Sequence, residues 1–218
     1  MIRSFLLTCS LVFFSACASS SPKNSWQIQG VNAYESHQKY FLQNEDALSK
    51  TDLKRAIKYA KQSADFTTLA TIYLSECALH VSTLQEDKCQ EYLFLEPLVK
   101  DAKLHSYYLF LHNNYDAKDI ENLPKKYQAF ASFVLQRNYA NAEKELLATD
   151  DLLCKMIMAS LIQNSLHVSS IKAIIDEASF YGYKKNVLSW LEFYISKSTD
   201  EDERKRSEEK LKVLKDSK

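Results

Sequence analysis

Glycine is almost missing from this chain. Among 218 residues only Gly30 and Gly182 occur, with Pro22, Pro97 and Pro124 as the only prolines. An average domain carries about 7% glycine and 5% proline. Tight β-hairpins need glycine where φ is positive, and phosphate-cradling loops need it where backbone meets a ligand. The scarcity argues against a sandwich, a barrel, a Walker A loop and a Rossmann turn. Helices joined by short polar turns tolerate it, so the expected class is all-α.

The apolar spacing agrees. Leu53, Ala56, Ile57 and Ala60 follow helical periodicity behind Thr51, read as an N-cap. Asp65 is read as the next N-cap, before Leu69, Ala70, Ile72, Tyr73 and Leu74. The same periodicity predicts helices at about 26–43, 88–101, 103–113, 125–137, 139–148, 151–163, 169–181 and 184–197. Asp87, Asp150 and Ser169 or Ser170 are candidate caps, and Pro124 suits a first helical turn. Gly182 falls where a left-handed helix terminus is expected.

Three helix–turn–helix segments share one order of apolar positions. Ala60, Leu146 and Ala178 align; so do Ala70, Met156 and Leu188, and then Tyr73, Ala159 and Leu191. A lone hairpin cannot bury both faces, so such units stack. Ala56-x-x-Tyr59-Ala60 and Leu69-Ala70-x-x-Tyr73 resemble the small-and-aromatic alternation of tetratricopeptide and Sel1-like repeats. The resemblance covers residues 50–197 and implies protein–protein scaffolding rather than chemistry. Ala70 stands where those families carry glycine, and no fixed period of about 34 residues runs through the chain. The expected architecture is an irregular α-α hairpin solenoid or a helical bundle over residues 26–198. Residues 199–218 read as a separate charged helix. Its acidic start, Asp200 to Glu203, and its basic end complement the helix dipole.

The first 17 residues read as an address. Arg3 is a basic start, and Phe5 to Phe14 form an apolar core interrupted by Thr8, Cys9 and Ser10. That run is too short to span a bilayer, which takes about 20 apolar residues. Phe14-Ser15-Ala16-Cys17 resembles a bacterial lipobox. The resemblance implies a signal peptide over residues 1–16, cleavage before Cys17 and fatty acylation of that cysteine. Residues 17–25 then form a small, polar tether. Ala18 is not the aspartate that retains many diderm lipoproteins at the inner membrane, so the resemblance favours the outer membrane in a diderm.

Charge narrows the partners. The chain has 28 basic and 28 acidic residues, and loss of residues 1–16 removes only Arg3. Without a basic field, nucleic acid is not an expected partner. Cys77 and Cys89 stand at facing ends of two successive helices, and an exported compartment permits a disulfide between them. Such a bridge would contribute on the order of 3 kcal/mol; the alternative is two reduced, partly buried cysteines. Cys77, His80 and Cys89 offer three donors but no recognised zinc spacing. His105 and His112 are a poor metal pair, about 10 Å apart along a helix. Cys154 has apolar neighbours and reads as a core thiol. No His-Glu-x-x-His, Gly-x-Ser-x-Gly or catalytic Cys/His pattern occurs. The expectation is therefore no catalytic residue, no metal and no cofactor.

Neighbouring aromatics remain. Adjacent helix residues cannot both point inward, so one of Tyr107 and Tyr108 and one of Phe180 and Tyr181 are candidates for a partner surface; the alternative is that these aromatics fill the core and the helix interfaces. The functional expectation is a membrane-anchored, non-enzymatic scaffold with a protein partner in the bacterial cell envelope. The alternative is a lipoprotein that binds a small ligand or cell-wall component in an aromatic helical groove.

Overall fold

The computed structural model describes residues 25–216. They form twelve α-helices and one short 3-10 turn, and no strand appears among them. The helices are α1 (Ser25–Leu42), α2 (Asp46–Gln62), α3 (Phe66–Ser82), α4 (Gln90–Val99), α5 (Ala102–Leu111) and α6 (Ala117–Asn122). They continue as α7 (Lys125–Leu135), α8 (Tyr139–Leu147), α9 (Leu152–Leu161), α10 (Val168–Phe180), α11 (Lys184–Lys197) and α12 (Glu201–Asp216). The all-α expectation holds, and the turns manage almost without glycine. Gly182 takes φ +71° just past α10. Elsewhere Asn44, Ala64, Leu84, Asn113 and Arg137 carry the positive φ of the turns without glycine.

Side-chain caps define many helix starts. Asp65 accepts the amide of Thr68 at 2.9 Å, as its position predicts. Asp101 and Asp151 do the same for α5 and α9. Several boundary readings need correction. Thr51 lies inside α2, and its hydroxyl donates back to the Ala47 carbonyl at 2.8 Å. The helix starts at Asp46, and Ser49 on its first turns is buried against His37. Asp151 rather than Asp150 caps α9, and His167 rather than Ser169 or Ser170 holds the N-cap position of α10. Asp87 caps no helix directly; its side chain takes the amide of Cys89, two residues on. The short helix α6 has no counterpart in the periodicity, because six residues show less than two turns of pattern. Its capping box, Asp116 with Asp119, is its signal.

The aligned segments of the sequence are real hairpins. They correspond to α2–α3, α8–α9 and α10–α11, and Ala60, Leu146 and Ala178 are all buried. In an open solenoid each unit touches only its neighbours. Here contacts also cross the stack. α3 packs on α9 and α5, and α11 returns to α1. Trp190 is fully buried, and its Nε1 donates to the Ser82 carbonyl at 3.0 Å, closing α11 onto the end of α3. Asn186 donates to the same carbonyl at 3.0 Å. The charged helix α12 lies along α11, with Leu211 and Leu214 against the core.

Candidate docking surface

α4 is packed on one side and bare on the other. Its N-cap is Cys89, in the left-handed region at φ 49°. A disulfide joins Cys89 to Cys77 on α3, with Cα atoms 5.5 Å apart. Of the two alternatives the sequence left, a bridge or two reduced cysteines, the bridge is present, and it pins the start of α4. Tyr92 and Leu95 point inward and are buried. Tyr92 stacks on Tyr108 of α5 with ring centroids 5.5 Å apart. On the other side Leu93, Phe94, Pro97 and Leu98 are exposed, Phe94 by 78% and Leu98 by 63%. Residues four apart lie one turn apart on the same face, so these four form one apolar strip. Full burial of a Phe or Leu side chain is worth roughly 1.5–3 kcal/mol. The strip is thus a contiguous apolar patch left in water, the kind of feature that contact surfaces carry. Glu91 and Lys100 stand exposed at its ends.

The aromatics read from sequence divide into two groups. Tyr107 and Tyr108 are half-buried and engaged. Tyr107 packs on Phe110 and Tyr127 at 6.1 and 5.6 Å, and burial pushes its phenol up to about 12. Tyr108 lies between Tyr92 and His112. Helix α5 is covered on several sides, so consecutive tyrosines both find neighbours. Phe180 and Tyr181 are exposed by 84% and 54% at the α10–α11 turn. The α4 strip escaped the sequence reading, yet it had a signal. Tyr92, Leu93, Phe94, Leu95, Leu98 and Val99 surround α4 with more apolar side chains than one buried face can use.

Behind α4 runs a polar relay through the core. His37 is 1% exposed; its Nδ1 lies 2.9 Å from Ser49 Oγ, and its Nε2 meets Glu76. The other oxygen of Glu76 lies 3.3 Å from His80 Nε2, and His80 Nδ1 lies 2.5 Å from Asp87. Burial alone would push the Glu76 carboxyl up. The hydrogen bonds and charges of His37 and His80 outweigh burial together and hold it down to about 2. The Glu76 hydrogen bond raises His80 above its usual range, against the effect of burial and with help from Asp87. Ser49, His37 and Glu76 follow the order of a hydrolase triad. Ser49 is only 3% exposed, however, so a substrate carbonyl cannot reach its hydroxyl in this conformation. The relay instead ties α1, α2, α3 and the loop before α4 into one unit.

Between α1, α2 and α3 lies a groove of about 470 Å³ lined by Trp26, Val31, Tyr34 and Ile72, with Thr67, Thr68 and Thr71 beside them. Cys154 is buried and unbridged; its Sγ accepts the Tyr127 hydroxyl at 3.2 Å, and burial pushes the thiol up. Cys17 lies outside the described residues. Among those residues no helix is long and apolar enough to cross a membrane. Comparison with protein-family models, with curated proteins and with solved structures finds no match to this chain.

Proposed function

We propose that this protein is a lipid-anchored, non-enzymatic scaffold of a bacterial cell envelope, and that α4 docks its protein partner. The lipobox-like stretch supports the anchor, and the exposed strip of Leu93, Phe94, Pro97 and Leu98 carries the docking. Acylation at Cys17 would supply the two or more chains that stable membrane attachment requires. Confinement to a surface raises the effective concentration of any partner held there, so a modest strip suffices for assembly or stabilisation of an envelope complex. The core behind α4 serves this role by rigidity. Disulfide, relay and the Tyr92–Tyr108 stack hold the strip in place before the partner arrives, which lowers the ordering cost of binding.

Crosslinking in intact membranes tests both halves. The wild-type chain should capture a protein partner. Phe94→Ser with Leu98→Ser should lose it at unchanged thermal stability; retention of the same partner rejects the α4 surface. Cys17→Ala should lose membrane attachment and globomycin-sensitive processing, and unchanged attachment rejects the anchor. The α1–α3 groove favours a second reading, a small-ligand or cell-wall-binding lipoprotein, because Trp26 and Tyr34 offer flat apolar faces in a concave site. Soluble cell-wall fragments would then quench Trp26 while leaving the buried Trp190 unchanged.

A further inference from the structure

We propose that Cys77, Cys89 and His112 form a binding site for one thiophilic, closed-shell cation, Zn²⁺ in the first instance, whenever the Cys77–Cys89 disulfide is reduced. Spacing along the chain hides this set, because His80 is the histidine near the cysteines in sequence. In the fold His80 is committed to Glu76 and Asp87. His112, on the residue after α5, is the histidine that reaches the sulfurs.

The geometry is that of a cation site. The two sulfurs and one ring nitrogen of His112 lie within 4.8 Å of one another. Cys89 Sγ and His112 Nε2 are 3.9 Å apart. Ligand atoms around a tetrahedral zinc, with bonds of about 2.3 Å to sulfur and 2.0 Å to nitrogen, lie roughly 3.3–3.8 Å apart. On reduction the two sulfurs must move from bonding distance to about 3.8 Å apart, which side-chain rotation allows at a Cα–Cα distance of 5.5 Å, while the ring nitrogen closes on them. Nδ1 of His112 lies 2.8 Å from the Tyr108 carbonyl. A proton on Nδ1 donated to that oxygen leaves the Nε2 lone pair toward the sulfurs, the arrangement that orients metal-binding histidines. The Asp87 carbonyl oxygen then lies 3.0 Å from Nε2 and 3.8 and 3.9 Å from the two sulfurs. Four potential donor atoms thus converge on one point. In the oxidised protein a proton on Nε2 can be donated to the Asp87 carbonyl; after reduction the ion takes that proton's place. A surface cleft lined by Glu86, Asp87, Lys88 and His112 gives the ion a path.

The chemistry balances. A dithiol donor passes two electrons and two protons to the bridge and becomes a disulfide itself; Cys77 and Cys89 become thiols. Zn²⁺ then binds both as thiolates and releases their two protons to solvent. Either clamp, covalent or ionic, ties α4 to α3, so the docking helix keeps its place in both redox states.

The full chain in detergent is reduced with a phosphine, freed of metal and titrated with Co²⁺ and then Zn²⁺. Reduced protein should bind one Co²⁺ with sulfur-to-cobalt charge-transfer absorption and tetrahedral ligand-field bands, which Zn²⁺ abolishes. Oxidised protein should show neither. His112→Gln keeps the disulfide and folds in the oxidised form; after reduction it should bind at least 10-fold more weakly. His80→Gln should bind like the parent. Absence of the charge-transfer band in the reduced parent, or parental affinity in His112→Gln, overturns the site.

Discussion

At the residue scale the most informative group is Glu76, which receives two histidines in a mostly buried position. Its folded carboxyl sits near 2, below the 4.5 of a free glutamate. Stability from this group is present above about pH 4.5 and is lost as the pH falls toward 2. His80 is shifted the other way. Its contribution is present below about pH 6.5 and is lost as the pH rises through its raised folded value. The two windows overlap between about 4.5 and 6.5. Wild type should therefore exceed His80→Gln in melting temperature most in that window, with the gap shrinking toward alkaline pH. A gap constant across pH would deny the charged pairing. Only part of this was legible in sequence. Glu76 and His80 are four apart on one helix and Asp87 follows His80 in the next loop, but His37 lies 39 residues from Glu76, and only the packing of α1 against α3 brings it within hydrogen-bond reach. Cys77 and Cys89 were legible, because helix and loop lengths alone bring them opposite each other.

Elements were more readable, since helices announce themselves through local periodicity. Asp65 and Gly182 were located from residue type because their roles are local: a carboxylate beside free amides, and a backbone that needs positive φ. The two glycines make opposite predictions. At Gly182 an added Cβ meets nothing within 4 Å, yet φ is +71°, so Gly182→Ala should cost about 1–2 kcal/mol. Gly30 sits inside α1, and its added Cβ would lie 3.5 Å from Tyr59 Cβ, an ordinary contact. Gly30→Ala should stabilise by about 0.5–1 kcal/mol through helix propensity. Urea midpoints that move in the same direction for both would contradict this account. Thr51 misled for a physical reason. Hydroxyl side chains serve both as caps and as i−4 partners inside helices, and the local pattern does not separate the two.

For the whole molecule, the closing contact is α11 on α3 and α1. Trp190 and Ser82 are 108 residues apart and share a buried hydrogen bond. Trp190→Phe removes that bond and leaves a void, so it should cost about 2–3 kcal/mol in urea denaturation. Phe180→Ser, in contrast, should move stability by less than about 0.5 kcal/mol, since Phe180 is 84% exposed. Equal effects would mean that α11 does not close the stack. The sequence by itself determined that the chain is helical, roughly where its helices run, and that Cys77 and Cys89 meet. Those properties depend on glycine content, on 3.6-residue periodicity and on short loops, all of which are local. Only the tertiary structure decided which apolar residues stay outside and which histidine faces the sulfurs. A helix with apolar residues all round, such as α4, acquires an inner and an outer side only when its neighbours arrive, and His112 reaches Cys89 only because α5 lies across α3.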